Sequence, residues 1–182
     1  RAARLLSELS SAADDSRLVV TILRTASLHH GAVVANRCAV VGLTNGAAGN
    51  VNGVTVTADG ETFTIDTRAV VNAAGVWADQ VRTFDEGIDP DSMRPAKGIH
   101  ISVPHHLVRN SIAAVIPVPK DRRSVFVVPQ GDFTYIGTTD TDYDGPLDDP
   151  EVAPEDVRYL LGAMAFTGIT EADIVGSWAG LR

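Results

Sequence analysis

His100 stands in the run "RPAKGIHISVP" (94–104), where Ile99, Ile101 and Val103 alternate with His100 and Ser102. Neighbouring side chains of an extended chain leave opposite faces, so the three aliphatic residues share one face and the imidazole takes the other. A histidine turned away from an apolar strip can exchange a proton or hydrogen-bond a ligand near neutral pH. The same alternation also describes a histidine that meets only solvent. A second stretch, "YIGTTDTDYDG" (135–145), sets Thr138 and Asp140 just beyond an apolar run. Asp140, Asp142 and Asp144 have the spacing that opens a calcium loop, with Gly145 and Glu151 at later ligand positions. Pro146 follows that glycine and a strand leads into Asp140, so a calcium loop is not expected here. A third stretch, "NAAG" (72–75), follows the apolar Ala69–Val71 and precedes Trp77. Small residues at a strand end let a ligand approach the backbone, and they equally let a helix pack tightly on the strand. The residues alone leave those two readings level.

The elements that must position these groups are legible from periodicity. Asp14 and Asp15 start a helix, Leu18, Val19, Ile22, Leu23 and Ala26 form its stripe, and Gly31 closes it after His29 and His30. Residues 32–43 read as a strand. Asp59-Gly60 joins Val54 and Val56 to Phe63 and Ile65 as a two-residue hairpin. Residues 68–72 read as a short buried strand, followed by a helix through Trp77, Val81 and Phe84. The Asp-, Gly- and Pro-rich 85–95 is the expected crossing between two domains, 1–84 and 85–182. Strands are expected at 98–103, 112–118, 123–129, 133–138 and from Ile174 to Trp178. A helix opens at Pro154-Glu155-Asp156 with Val157, Leu160, Leu161 and Met164 on one face. The order reads as an α/β part joined to an α+β part.

Composition narrows the function classes. The 182 residues carry a net charge of −8, which argues against a basic nucleic-acid footprint. The single cysteine, Cys38, excludes an intrachain disulfide and speaks against a cysteine-ligated metal cluster. No apolar run approaches the roughly 20 residues of a membrane-spanning helix. No two glycines are separated by one residue, so G-x-G-x-x-G is absent, as are a P-loop, G-x-S-x-G and H-E-x-x-H. Both ends read as interior to a longer polypeptide, since Arg1 is not a methionine and the chain stops at "SWAGLR".

"DDSRLVVTILRTASLHHGA", "AVVNAAGVWADQV", "RPAKGIHISV", "VFVVPQGDFTYIGTTDTDYDG", "EDVRYLLGAM" and "SWAGLR" occur in one order. Together they resemble the middle of FAD-dependent, quinone-linked glycerol-3-phosphate dehydrogenase, of the D-amino-acid-oxidase-like flavoprotein superfamily. "NAAG-x-W" belongs to the wider superfamily, whereas KG-x-H with IGTTD and the final GLR is more specific to the dehydrogenase. The resemblance implies a partial FAD-binding, Rossmann-like domain joined to a mostly antiparallel substrate-binding sheet with a flanking helix, the last residues returning toward the FAD domain. It implies oxidation of sn-glycerol 3-phosphate to dihydroxyacetone phosphate, with electrons passing from FAD to a membrane quinone. By the same resemblance His100, Arg182 and Thr138 are catalytic-site residues. Asn72, Ala73, Ala74, Gly75 and Trp77 run past FAD, and Ala39 offers backbone to the adenine; no metal is implied. Cytoplasmic location, peripheral membrane association and a homodimer are compatible with it. An amine or amino-acid oxidase of the same superfamily, or a cofactor-free binding module on the same fold, are the alternatives. The glycine fingerprint that would cradle the FAD pyrophosphate is missing, so the 182 residues alone are expected to hold FAD weakly or not at all.

Overall fold

The computed structural model describes residues 14–118 and 121–182 and divides them into two compact units, 14–93 and 94–182.

In the first unit, helix α1 (Asp15–His30) begins where the Asp14 carboxylate accepts a bond from Arg17 N at 2.9 Å. It ends where Gly31, at φ 70°, takes the left-handed turn that the helix terminus requires. Its apolar stripe is formed as the periodicity predicts, yet Leu18, Val19, Ile22 and Leu23 are all exposed. The strand expected over 32–43 begins only at β1 (Cys38–Asn45), because Arg37 at φ 53° breaks the extension just before it. β1, β2 (Val51–Ala58) and β3 (Glu61–Asp66) form an antiparallel meander. The last two are joined through Asp59 and Gly60, both at positive φ as the hairpin turn demands. The buried strand expected at 68–72 is a correction. The segment is extended but joins no ladder among the described residues, and Val71 is 87% exposed. A single 3-10 turn (Gly75–Trp77) then leads into α2 (Ala78–Glu86), which Gly87 closes.

The second unit is a six-stranded antiparallel sheet with helix α4 (Pro154–Ala163) on one face. Its strands are β4 (Ala96–Pro104), β5 (Ala114–Pro117), β6 (Ser124–Gln130), β7 (Phe133–Gly137), β8 (Thr141–Asp142) and β9 (Gly176–Leu181). A short helix, α3 (His105–Val108), follows β4 in the stretch left unassigned between the strands expected at 98–103 and 112–118. The final strand runs over 176–181 rather than 174–178. β4 is central: Lys97 pairs with both Thr141 and Leu181, and His100 with both Gly137 and Trp178. β7 and β8 therefore share one edge of β4, and β9 occupies the other.

Alternation then sorts the side chains. Ile99, Ile101, Val103, Val125, Val127 and Ile136 point to the α4 face and are at most 2% exposed. They pack with Leu160, Ala163, Met164 and Ile169 to form the core. At about 25 cal/mol per Å2 of apolar surface, this burial is what holds the sheet to the helix. Beneath the same face Lys97 Nζ meets the Asp156 carboxylate at 2.7 Å and donates to Glu151 O at 3.1 Å. Asp156 also accepts from Ala153 N, so one carboxylate starts α4 and ties it to β4.

Candidate functional site

On the face of the sheet away from α4, His100 is flanked by Gly137 on β7 and Trp178 on β9. Its imidazole lies nearly parallel to the Trp178 ring, with centroids 5.3 Å apart and planes 8° from one another. Trp178 in turn receives Tyr135 edge-on, at 5.0 Å and 80°. On the other flank a glycine is obligatory: a Cβ at residue 137 would fall within 2.8 Å of His100 Cγ and Nε2. The ring is thus clamped between an indole and bare backbone. Burial pushes its pKa below the usual histidine value, and the nearby Arg182 charge pushes it further down. Both effects favour the uncharged imidazole, the form able to accept a proton.

Two residues along β4, Gly98 makes the second gap. A Cβ there would fall on the Thr138 hydroxyl and 3.2 Å from Arg182 Nη1. Thr138 and Arg182 therefore lie together over Gly98. Both are placed by the backbone: Arg182 exchanges N–H···O bonds of 3.0 and 2.8 Å with Ala96. Thr138 sits in the irregular turn 138–140, where the β4 register changes from the β7 pairing to the β8 pairing. In that turn the buried Thr139 hydroxyl accepts the bond from Ile99 N at 3.0 Å that the interrupted ladder leaves over. Arg182 Nη2 is held by Asp140 Oδ1 at 2.9 Å and donates to Thr139 O at 3.4 Å. The three residues expected to be catalytic thus meet on one sheet face. A neutral base, a hydroxyl and a guanidinium in one place can take a proton from an alcohol and bind an anionic oxygen.

Sequence reasoning gave no role in this site to Gly98, Gly137, Trp178 and Arg123, and read Asp140 as part of a calcium-loop spacing rather than as a partner of Arg182. A usable signal was present, since a glycine inside a strand marks a bulge or a close approach, and two of them neighbour His100.

The first unit has its own concave site. A pocket of about 330 Å3 is lined by Val40, Asn72, Ala73, Ala74, Trp77 and Phe84, with further apolar residues and Gln80. Asn72 shapes it from within: Nδ2 donates to Ala78 O at 2.9 Å, and Oδ1 accepts from Ala74 N at 3.2 Å. The carboxamide therefore fastens the turn rather than pointing a free donor at a ligand. Gly75 is required by its φ of 59°, since a Cβ there would meet nothing within 4 Å. Neither Gly75 nor Ala39 lines the pocket; Ala39 is exposed on β1, paired with Thr57, beside the lining Val40.

Residues 2–182 match the family described as FAD dependent oxidoreductase. Among curated relatives, the alpha-glycerophosphate oxidase of Streptococcus pneumoniae is 39% identical over 178 residues, covering 93% of this chain and 29% of the relative. The aerobic glycerol-3-phosphate dehydrogenase of Staphylococcus epidermidis is 33% identical over 175 residues, covering 93% of this chain and 31% of the relative. The chain thus spans under a third of their length. Among solved structures, the glycerol-3-phosphate dehydrogenase of Bacillus halodurans, complexed with FAD, superposes with a TM-score of 0.83 at 34% identity. That superposition covers 93% of this chain and 35% of the other.

Proposed function

The chain belongs to the FAD-dependent oxidoreductase family, and from that premise we propose that it forms part of a flavoenzyme oxidising glycerol 3-phosphate to dihydroxyacetone phosphate. The observation that carries the reading is the cluster of His100, Thr138 and Arg182 over two obligatory glycines. His100 takes the proton of the substrate's secondary hydroxyl at a ring nitrogen. Arg182 binds an anionic oxygen and favours the developing negative charge beside it. Bound FAD supplies the acceptor for the hydride that leaves the same carbon.

The donor chemistry of the first unit's pocket fits part of that group. Small residues at 73 and 74, with Trp77 and Phe84, offer an apolar wall for a flat ring. None of the lining residues is basic, so this pocket gives a diphosphate no cation. Accordingly, the 182 residues by themselves hold FAD weakly or not at all. The check is flavin absorbance in the purified chain: stoichiometric flavin would refute it.

The electron acceptor we propose is a membrane quinone, with the protein at the cytoplasmic membrane surface. Relatives named oxidases support dioxygen as a second reading. Glycerol 3-phosphate oxidation by the full-length protein, followed with a quinone analogue and separately by oxygen uptake, separates them. Turnover with sarcosine or a D-amino acid in place of glycerol 3-phosphate would sink the substrate assignment.

A further inference from the structure

The Arg182 guanidinium is half exposed, 52% by side chain, and so is its partner Asp140. An ion pair this wet contributes little to folding stability. Yet the backbone of its acidic member is held from a second side. Arg123 Nη1 donates to the Asp140 carbonyl at 2.7 Å. Arg123 is itself locked: Asp121 Oδ2 accepts from its Nε at 2.8 Å and lies 2.6 Å from its Nη2, and Oδ1 accepts from its backbone N at 3.1 Å. The guanidinium also lies 4.7 Å over the ring of Tyr159, whose hydroxyl donates to Asp121 Oδ2 at 3.0 Å. Tyr159 belongs to α4, so the chain of contacts starts on the helix packed against the core face.

It ends at Arg182. Asp140 and the Thr139 carbonyl engage one terminal nitrogen, Nη2, while Nη1 lies over Gly98 beside Thr138. A guanidinium gripped along one edge presents its other edge in a fixed direction. Preorganisation of this kind spares the ligand the cost of ordering a long side chain.

We infer that Asp140 is a positioning residue for Arg182, itself set by the Tyr159–Asp121–Arg123 relay, and that the relay sharpens binding of the anionic substrate. The inference rests on the proposed role of Arg182 and goes beyond it by giving Asp140 and Arg123 a task. Two effects oppose each other at Asp140. Its charge competes with a substrate anion, and its grip aims the cation. Half exposure screens the charge, so the aim decides the sign.

The test uses the flavin-loaded full-length protein with Asp140→Asn, Arg182→Gln and both together. Kinetics with glycerol 3-phosphate are paired with calorimetric titration of dihydroxyacetone phosphate. Asp140→Asn is expected to raise KM and the product's dissociation constant roughly threefold to tenfold, with a smaller fall in kcat and an unchanged melting temperature. In the Arg182→Gln background it is expected to add nothing. Arg123→Lys, which keeps the charge but not the fork, is expected to weaken binding in the same direction. Equal losses in both backgrounds, or tighter binding on Asp140→Asn, would overturn the inference while leaving Arg182 in the site. A silent Arg182→Gln would remove the underlying reading and this inference with it.

Discussion

Gly137→Ala isolates the clamp on His100 from every other property of the site. Gly137 does not have a positive φ, so an alanine meets no left-handed-backbone penalty there. The cost considered is the clash with the ring. The new methyl would fall on His100 Cδ2, and 2.7 Å from Cγ and 2.8 Å from Nε2, against an ordinary carbon contact of about 3.5–4.0 Å. The imidazole must therefore retreat by at least about 1 Å. Trp178, stacked at 5.3 Å on the opposite flank, leaves it no clear direction in which to do so. Overpacking of this size costs about 1–3 kcal/mol in stability. A base displaced by about 1 Å costs on the order of 100-fold in turnover. Turnover with glycerol 3-phosphate, flavin content and thermal melting of the full-length variant check this together. The expected result is a roughly 100-fold lower kcat with flavin retained and a modestly lower melting temperature. Turnover within threefold of the parent would refute the claim that the ring is held where it acts.

His100→Ala should lower turnover by about 100-fold or more with flavin content unchanged; unchanged turnover would remove the histidine from the site. Because burial and Arg182 lower the His100 pKa, the acid limb of kcat/KM is expected below pH 6.5, activity falling as the ring gains a proton. Trp178→Ala should re-expose the ring and move that limb upward toward 6.5; a limb that moves down or stays contradicts the assigned cause. Lys97→Met strands the Asp156 carboxylate, only 3% exposed, and should cost about 3–5 kcal/mol in denaturant unfolding, much of it recovered by adding Asp156→Leu. Gly162→Ala, exposed in α4 with nothing within 4 Å of the new Cβ, should instead stabilise by about 0.5–1 kcal/mol.

The sheet of the second unit was legible in the chain because its strands alternate cleanly against one helix. The parity of Ile99, Ile101 and Val103 correctly turned His100 to the other face. The first unit was less legible where its pattern promised more burial than the described residues provide. Val70 and Val71 look like a core strand, and the stripe of α1 looks like a packed face, but apolar character records what a segment is suited to meet. The apolar run at 68–72 carries no mark of whether a ladder partner stands beside it. The electrostatic relay was invisible for another reason. Asp121, Arg123, Asp140, Tyr159 and Arg182 follow no common period, and only the closing of the sheet brings them together.

The interrupted edge of β4 has a kinetic consequence. The Ile99–Thr139 bond links positions 40 apart in sequence, and the Arg182–Thr139 bond links positions 43 apart. No local hairpin assembles His100, Thr138 and Arg182, and β4 must receive neighbours on both edges before all three meet. Such non-local pairing is slow, because loop-closure entropy is lost before the contacts form. The constellation therefore comes into being in the same event that completes the sheet. A chain with only one edge of β4 paired holds at most two of the three.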